Sequence, residues 1–221
     1  MTPAGRKFMS KFNELIEKND KSQVHRHLRL TMMNGETHVY WNGHELIGNW
    51  KKRHARELLL YLIMNQKTAN RDAIVDAFAE NLTISQARNH LRVQLNYLNT
   101  LFRSQVDSTL HDVLVSNRDS ITLNCDVESD LGEFISTIED LLRSKEPIEQ
   151  RIETFLIFLE DYHPDFLVTW NGTWIRNLEK KLTNQLSQVL NQILRTLKEE
   201  YKETEIRRIL SNQSIKKIRE K

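Results

Sequence analysis

Five side chains between residues 84 and 103 carry the groups that read the edges of DNA bases. If successive residues are placed 100° apart, one face of this segment holds Asn89, Arg92, Asn96, Thr100 and Arg103. Arginine forks onto O6 and N7 of guanine, and asparagine pairs with N6 and N7 of adenine. The opposite face holds Ile84, Ala87, Leu91, Leu95, Leu98 and Phe102. The spacing predicts a helix that buries its apolar face and presents base-reading groups, although a merely solvated polar face has the same spacing.

Further basic side chains flank this segment and are candidates for contacts with DNA phosphates. They are Lys51, Lys52, Arg53, Arg71, Arg88 and Arg118. Phosphate contacts set the position of a protein on DNA but carry no sequence information. Residues 1–125 contain 17 Lys and Arg against 12 Asp and Glu, whereas residues 126–221 contain 15 against 18. The basic excess therefore lies in the half that contains the candidate reading helix.

The elements around the reading helix follow a fixed order of sheet, helices and hairpin. Alternating residues predict strands at 27–33, 37–41 and 45–47, with turns at Asn34-Gly35 and Asn42-Gly43. Apolar residues spaced by three and four predict helices at 53–65 and 71–79. Asn70 is a candidate cap for the second helix, and Thr83 or Ser85 for the third. Two short apolar runs around a polar tip predict a hairpin at 113–123.

After Cys125 the apolar periodicity is helical throughout. It predicts helices near 127–144, 147–162 and 172–201, and a weaker one near 203–219. The chain thus divides into an N-terminal connector or helix (1–25), a mixed domain (26–125) and an all-helical domain (126–221). The predicted fold class is mostly α with a small β component. Three helices followed by a hairpin are the plan of a winged helix-turn-helix domain, whose third helix enters the major groove.

Three stretches resemble the DNA-binding domain of SARP-type bacterial transcriptional activators, which are OmpR/PhoB-like winged helices. The similar stretches are WKKRHARELLLYL (50–62), NRDAIVDAF (70–78) and ARNHLRVQLNYL (87–98). The second half is similar to the bacterial transcriptional activator domain that follows in those proteins, through DVESDLGEF (126–134), YHPDFL (162–167) and Trp174-Ile-Arg176. The resemblance covers roughly residues 27–201. It implies a DNA-binding output of the kind also found in response regulators and MalT-like proteins, with a tetratricopeptide-like second domain that is shorter than usual.

Three residues depart from the family pattern. Phe78 stands where the family usually has Trp, and Tyr97 and Asn99 stand where it often has Arg. Two functions follow as expectations. The first is a cytoplasmic transcriptional regulator that binds double-stranded DNA through helix 84–103 and a wing at 113–123, with a second copy or RNA polymerase as a further partner. The second is a protein-interaction adaptor whose winged helix no longer binds DNA.

Other classes of function find little support in the sequence. No phosphate-binding, nucleophile-elbow or zinc-protease motif occurs, and six glycines leave little material for a phosphate-cradling loop, so neither an enzyme nor a cofactor is expected. Five histidines cluster along the chain at spacings that fit no metal motif: His25, His27, His38, His44 and His54. The longest apolar run, 58–64, is too short to span a bilayer, and the N-terminus has no signal-peptide core.

Overall fold

The structure is a computed structural model, and it is mostly helical with a small sheet component. It describes residues 26–50, 54–80, 82–106, 113–160, 166–167, 170 and 172–220. Two sets of predictions lie outside the described residues. One is the connector or helix at 1–25, and the other is the basic run Lys51, Lys52 and Arg53.

The strands described are β1 (His27–Thr31), β2 (His38–Trp41), β3 (His44–Glu45), β4 (Thr68–Asn70), β5 (Leu114–Ser116), β6 (Ser120–Leu123) and β7 (Asp126–Ser129). The helices described are α1 (Ala55–Met64), α2 (Arg71–Phe78), α3 (Ile84–Gln105), α4 (Asp130–Arg143), α5 (Ile148–Glu160), α6 (Thr173–Glu199), α7 (Glu203–Ser211) and α8 (Gln213–Glu220).

The first sheet has the strand order β3-β2-β1-β7. β1 and β2 run antiparallel, with Leu28 opposite Trp41 and Leu30 opposite Val39, and all four side chains are buried. Asn42 and Gly43 make the turn to β3 with left-handed φ angles of 48° and 83°, which Asn and Gly tolerate best. The predicted strands and this turn are confirmed, with ends that differ by one or two residues.

The last strand of this sheet, β7, was not predicted. The helix expected from residue 127 begins only at Asp130, because residues 126–129 are extended and pair in parallel with β1, Val127 lying opposite Leu28. The Asp130 carboxylate then accepts a hydrogen bond from the backbone N–H of Met32 at 2.7 Å. The start of the helical half is therefore attached to the first sheet both by its strand and by the first residue of α4.

The second sheet joins the hairpin to the loop between α1 and α2. Its strand order is β4-β6-β5. Thr122 of the central strand β6 lies opposite Thr68 of β4 on one side and opposite Val115 of β5 on the other. The hairpin was predicted, whereas the three-residue strand β4 was not. β4 leads directly into α2, so the second helix starts at the edge of the hairpin sheet.

Side-chain caps begin α2 and α3. The Asn70 side-chain oxygen accepts a hydrogen bond from the backbone N–H of Asp72 at 2.8 Å. Thr83 and Gln86 form a reciprocal capping box, in which each side chain accepts a hydrogen bond from the backbone N–H of the other. Such caps contribute about 1 kcal/mol each. Asn70 is confirmed as the cap of α2. Of the two predicted candidates for the cap of α3, Thr83 or Ser85, the structure shows Thr83.

In the helical half, α6 packs against α4, α5, α7 and α8. Its buried residues recur at three and four along the helix and include Leu182, Leu186, Val189, Ile193 and Leu197. The single helix predicted at 203–219 is wrong. The chain breaks at Asn212, whose side-chain oxygen accepts a hydrogen bond from the backbone N–H of Ser214 at 2.9 Å and so starts α8.

A histidine and a glutamate on neighbouring strands are expected to make the stability of the first sheet depend on pH. The hydrogen bond between His38 Nδ1 and Glu45 Oε1, 2.7 Å long, raises the pKa of His38 above its ordinary value of 6.5, and the Glu36 carboxylate adds to the effect. Because the folded pKa is raised, this stabilisation is complete below pH 6.5 and is lost as the pH rises through the folded pKa. We expect the melting temperature to fall between pH 6 and pH 8.5 by more in the native chain than in Glu45→Gln, as measured by circular dichroism. Equal falls in both proteins would contradict this assignment.

Candidate nucleic-acid interface

Helix α3 presents a polar face that contains no carboxylate. Its 22 residues include three arginines and no Asp or Glu. The five base-reading candidates are all exposed: Asn89, Arg92, Asn96, Thr100 and Arg103. Of the predicted apolar face, Ile84 is 61% exposed and does not join the core, because it is the first residue of the helix and projects beyond the packed region. The remainder of that face is buried.

A cleft of about 530 Å³ lies between the start of α2, the middle of α3 and the hairpin tip. It brings together five of the predicted DNA-contacting residues, namely Arg71, Arg88, Arg92, Asn96 and Arg118. Three other candidates lie on α3 outside the cleft: Asn89, Thr100 and Arg103. Residues far apart in the chain thus converge on one concave surface rich in hydrogen-bond donors.

Arg71 attaches the hairpin tip to the start of α2. Its Nε donates to the carbonyl oxygen of Asn117 at 2.7 Å, and its Nη2 donates to the Ser116 hydroxyl. Its backbone N–H donates to the carbonyl oxygen of Asp119 at 2.9 Å. Two of the five N–H donors of this guanidinium are therefore engaged inside the protein. Predicted only as a phosphate contact, Arg71 also positions the hairpin, a role that no spacing in the sequence indicated.

The hairpin tip is itself closed by one asparagine. The Asn117 side-chain oxygen accepts hydrogen bonds from the backbone N–H groups of Asp119 and Ser120 at 2.9 and 2.7 Å. The tip therefore holds a defined turn at the edge of the cleft. Arg118, at the centre of that turn, is exposed and makes no ion pair among the described residues.

The electrostatic balance of the cleft is positive. Four arginines and two aspartates, Asp72 and Asp119, line it, which leaves a net charge of +2. Arg88 pairs with Asp72 at 3.4 Å, but both side chains are well exposed. An exposed pair of this kind contributes little to stability, so Arg88 can exchange this carboxylate for another anion at low cost.

Two hydrogen bonds orient the polar face of α3. Arg92 Nη2 donates to the Asn89 side-chain oxygen at 3.0 Å, so the two candidates form one paired unit. The Thr100 hydroxyl donates to the backbone carbonyl oxygen of Asn96 at 2.8 Å, which uses the proton that this hydroxyl would otherwise offer to a base. The guanidinium of Arg92 is thus oriented by its neighbour Asn89.

Sequence reasoning missed two residues on this surface. Asn99 lines the cleft next to Asn96, although it had been noted only as the replacement of a basic residue. Its spacing of seven from Arg92 places it on the same side of the helix and was a usable signal. Val93 is 41% exposed on α3 and offers methyl groups beside Arg92, as an apolar contact to thymine requires.

Tyr97 is taken up by packing and does not lie on the polar face of α3. The Tyr97 hydroxyl accepts a hydrogen bond from the backbone N–H of Asn49, and its ring packs edge-on against Trp50 with 6.5 Å between the ring centres. Tyr97 therefore belongs to the packing of α3 against the chain that precedes α1. Of Tyr97 and Asn99, only Asn99 lines the candidate interface.

The helical half contacts α1 and α2 through an aromatic cluster. Trp174, at the start of α6, packs edge-on against Tyr61 at 5.2 Å and lies 5.7 Å from Phe78, between ring centres. Arg176 forms an ion pair with Glu80. Trp174 therefore anchors the start of α6 against α1 and α2. Since these contacts lie at the far end of α2 from Arg71, they leave the polar face of α3 uncovered.

No metal centre is found among the residues that the structure describes. His27, His38 and His44 lie on strands, whereas His54 precedes α1. The fifth histidine of the predicted cluster, His25, is outside the described residues. Cys125 is buried, and burial raises the pKa of its thiol to about 11, so it stays protonated at neutral pH. Within the described helices, none combines the length and apolar character needed to cross a membrane.

No protein-family model matches the chain, and no curated protein matches it either.

Proposed function

We propose that the chain is a sequence-specific DNA-binding transcriptional regulator whose α3 enters the major groove. The observation that carries this proposal is the convergence of Arg88, Arg92, Asn96 and Arg118 on one positive cleft beside a carboxylate-free helix. A protein that binds DNA needs donors for phosphates and base edges on one accessible surface. The hairpin at 113–123 then acts as the wing, and Arg118 at its tip contacts the backbone or the minor groove.

In this proposal the described residues divide into two kinds of contact. Arg92, with Asn89 holding its guanidinium, reads a base edge, and Asn96 and Asn99 read its neighbours. Arg88 and Arg118 contact phosphates, and Arg71 fixes the wing against α2. Lys51, Lys52 and Arg53 remain predicted phosphate contacts.

The finer fold assignment belongs to the same proposal. Helices α1 to α3, the hairpin β5-β6 and the preceding sheet support a winged helix-turn-helix domain of the OmpR/PhoB kind. The packing of α6 against four other helices of the second half supports a tetratricopeptide-like second domain, and the resemblance to SARP-type activators supports the pair of domains. In a cytoplasmic regulator of this kind, the helical half would offer its surface to a second copy or to RNA polymerase.

The competing proposal is a protein-interaction adaptor with a winged helix that no longer binds DNA. Two points favour it: Asn99 lines the cleft where the SARP-type pattern often has Arg, and Asp72 and Asp119 place two carboxylates there. The dependence of DNA affinity on salt concentration distinguishes the two proposals. Binding to DNA through several phosphates weakens steeply as salt rises, with a slope of about −0.9 per phosphate neutralised.

The experiment is selection from random double-stranded DNA by the purified chain, followed by sequencing of the retained fraction and by titration at several salt concentrations. We expect an enriched motif and a steep salt slope. Arg88→Ala should lower the slope by about 1 while leaving the motif unchanged. Arg195→Ala serves as the control, since Arg195 is also exposed and also ion-paired, with Glu199, but lies on α6 away from the cleft. No retention at low salt would overturn the proposal and favour the adaptor.

A further inference from the structure

Val93 is an apolar side chain on the exposed face of α3. It is 41% exposed near the middle of the helix and does not belong to the core. Asn89, four positions earlier, and Asn96, three positions later, are polar and exposed. Valine is a poorer helix former than alanine, because its branched Cβ loses rotamer freedom against the preceding turn. Neither the core nor the stability of α3 therefore accounts for valine at this position.

Val93 lies close to the centre of the exposed face. With about 100° per residue, the buried Leu98 lies opposite Asn89, so Asn89 marks the direction that points away from the core. On the same wheel, Val93 lies about 40° from Asn89 on one side, and Arg92 lies about 60° from it on the other. A partner that approaches α3 along this direction meets Val93 as directly as it meets Arg92.

The hydrogen bond between Arg92 and Asn89 brings the guanidinium close to the valine methyl groups. Arg92 Nη2 donates to the Asn89 side-chain oxygen at 3.0 Å. Helical side chains lean toward the N-terminus and lie over the residue three or four positions earlier. Asn89 is three residues before Arg92 and four before Val93, so both side chains lean toward it. A fork of N–H donors and an apolar group therefore lie side by side on α3.

We propose that Val93 determines specificity by contacting the C5-methyl group of a thymine next to the base that Arg92 reads. Among the four DNA bases, thymine alone carries a methyl group on its major-groove edge, and apolar side chains contact it there. Granted the proposed DNA binding, on which this assignment rests, the target site contains a thymine beside the base bound by arginine. A cytosine methylated at C5 presents the same methyl group and is recognised by the same contact.

Removal of that methyl group from the DNA tests the assignment. Each thymine of the selected site is replaced in turn by deoxyuridine, which has the same hydrogen-bonding edge but lacks the methyl group. We expect one replacement to weaken binding of the native chain about fourfold, the value for one methyl-sized group that is no longer buried. At the same position, 5-methylcytosine should bind better than cytosine by a similar factor. A bound site without any sensitive thymine would overturn this assignment alone, whereas absence of binding to any DNA would overturn the proposed function as well.

Variants locate the contact on Val93. Val93→Ala shortens an exposed side chain and favours the helix, so the variant folds, and it should bind the thymine and deoxyuridine sites nearly equally. Val93→Thr keeps one of the two methyl groups and should keep part of the preference for thymine. Ile157→Ala, at a 58% exposed position on α5, is the matched control and should prefer thymine as strongly as the native chain does. A Val93→Ala protein with the full preference for thymine would overturn the assignment.

Discussion

Replacing Arg92 by alanine is expected to weaken binding to the selected DNA site by about 1–3 kcal/mol and to relax the preference at one base position. Arg92 is exposed near the middle of α3, and its Nη2 donates to the Asn89 side-chain oxygen at 3.0 Å. A guanidinium that is already oriented loses less entropy when it forks onto guanine. The measurement is competition binding of the native chain and the variant against all four bases at each position of the site.

A control variant distinguishes a contact with a base edge from a general electrostatic attraction to the DNA backbone. Arg88→Ala removes the same charge from the same helix one turn earlier, where the side chain pairs with Asp72 at 3.4 Å. It should weaken binding to every sequence alike and leave the base preferences unchanged, because phosphate contacts carry no sequence information. If Arg92→Ala behaves in the same way as Arg88→Ala, Arg92 does not read a base.

Replacing Trp174 by alanine is expected to lower the free energy of unfolding by about 3 kcal/mol, the lower end for loss of a large aromatic side chain. Trp174 is half-buried and packs between Tyr61 and Phe78, with ring centres 5.2 and 5.7 Å away. Its loss removes the aromatic contact between the start of α6 and the helices α1 and α2. Urea unfolding followed by circular dichroism measures the change and shows whether the two halves then unfold separately.

Two milder substitutions test the cause of that loss. Trp174→Phe keeps an aromatic ring and loses no hydrogen bond, because Trp174 Nε1 has no partner in the part of the chain that the structure describes. It should destabilise much less than alanine. Arg176→Ala removes an exposed ion pair with Glu80 and should cost no more than about 1 kcal/mol. A Trp174→Ala protein as stable as the native chain would show that the aromatic cluster does not hold the halves together.

Local patterns predicted much of the candidate interface. The period of α3 assigned Arg92 and Asn96 to its exposed face, because helical spacing follows from backbone geometry. Asn70 was predicted as a cap because its short side chain reaches the free N–H groups of the next turn. The hairpin followed from two apolar runs around a polar tip. Each of these inferences depends on residues a few positions apart.

Local sequence patterns could not predict contacts between residues that are distant in the chain. β7 is four residues long and reads as the start of a helix, and only its pairing with β1 makes it a strand. In the sequence, nothing distinguishes Arg71 from other surface arginines. Its hydrogen bonds go to the hairpin tip, more than forty positions later in the chain. A second cleft, which Glu57 lines, joins residues of α1, α2, α3 and α6, whose side chains have no common period. The Glu57 Oε2 atom is buried there without a hydrogen-bond partner among the described residues.

The positions of most helices, and the polar face of α3, follow from the amino-acid sequence alone. Both are set by periodicity and by short side chains that cap nearby backbone groups. The folded arrangement alone shows which arginines meet in one cleft, which of them holds the hairpin tip, and which carboxylate oxygen is buried without a donor within the described part of the chain. The physical reason is that these properties arise from packing and from hydrogen bonds between elements distant in the chain.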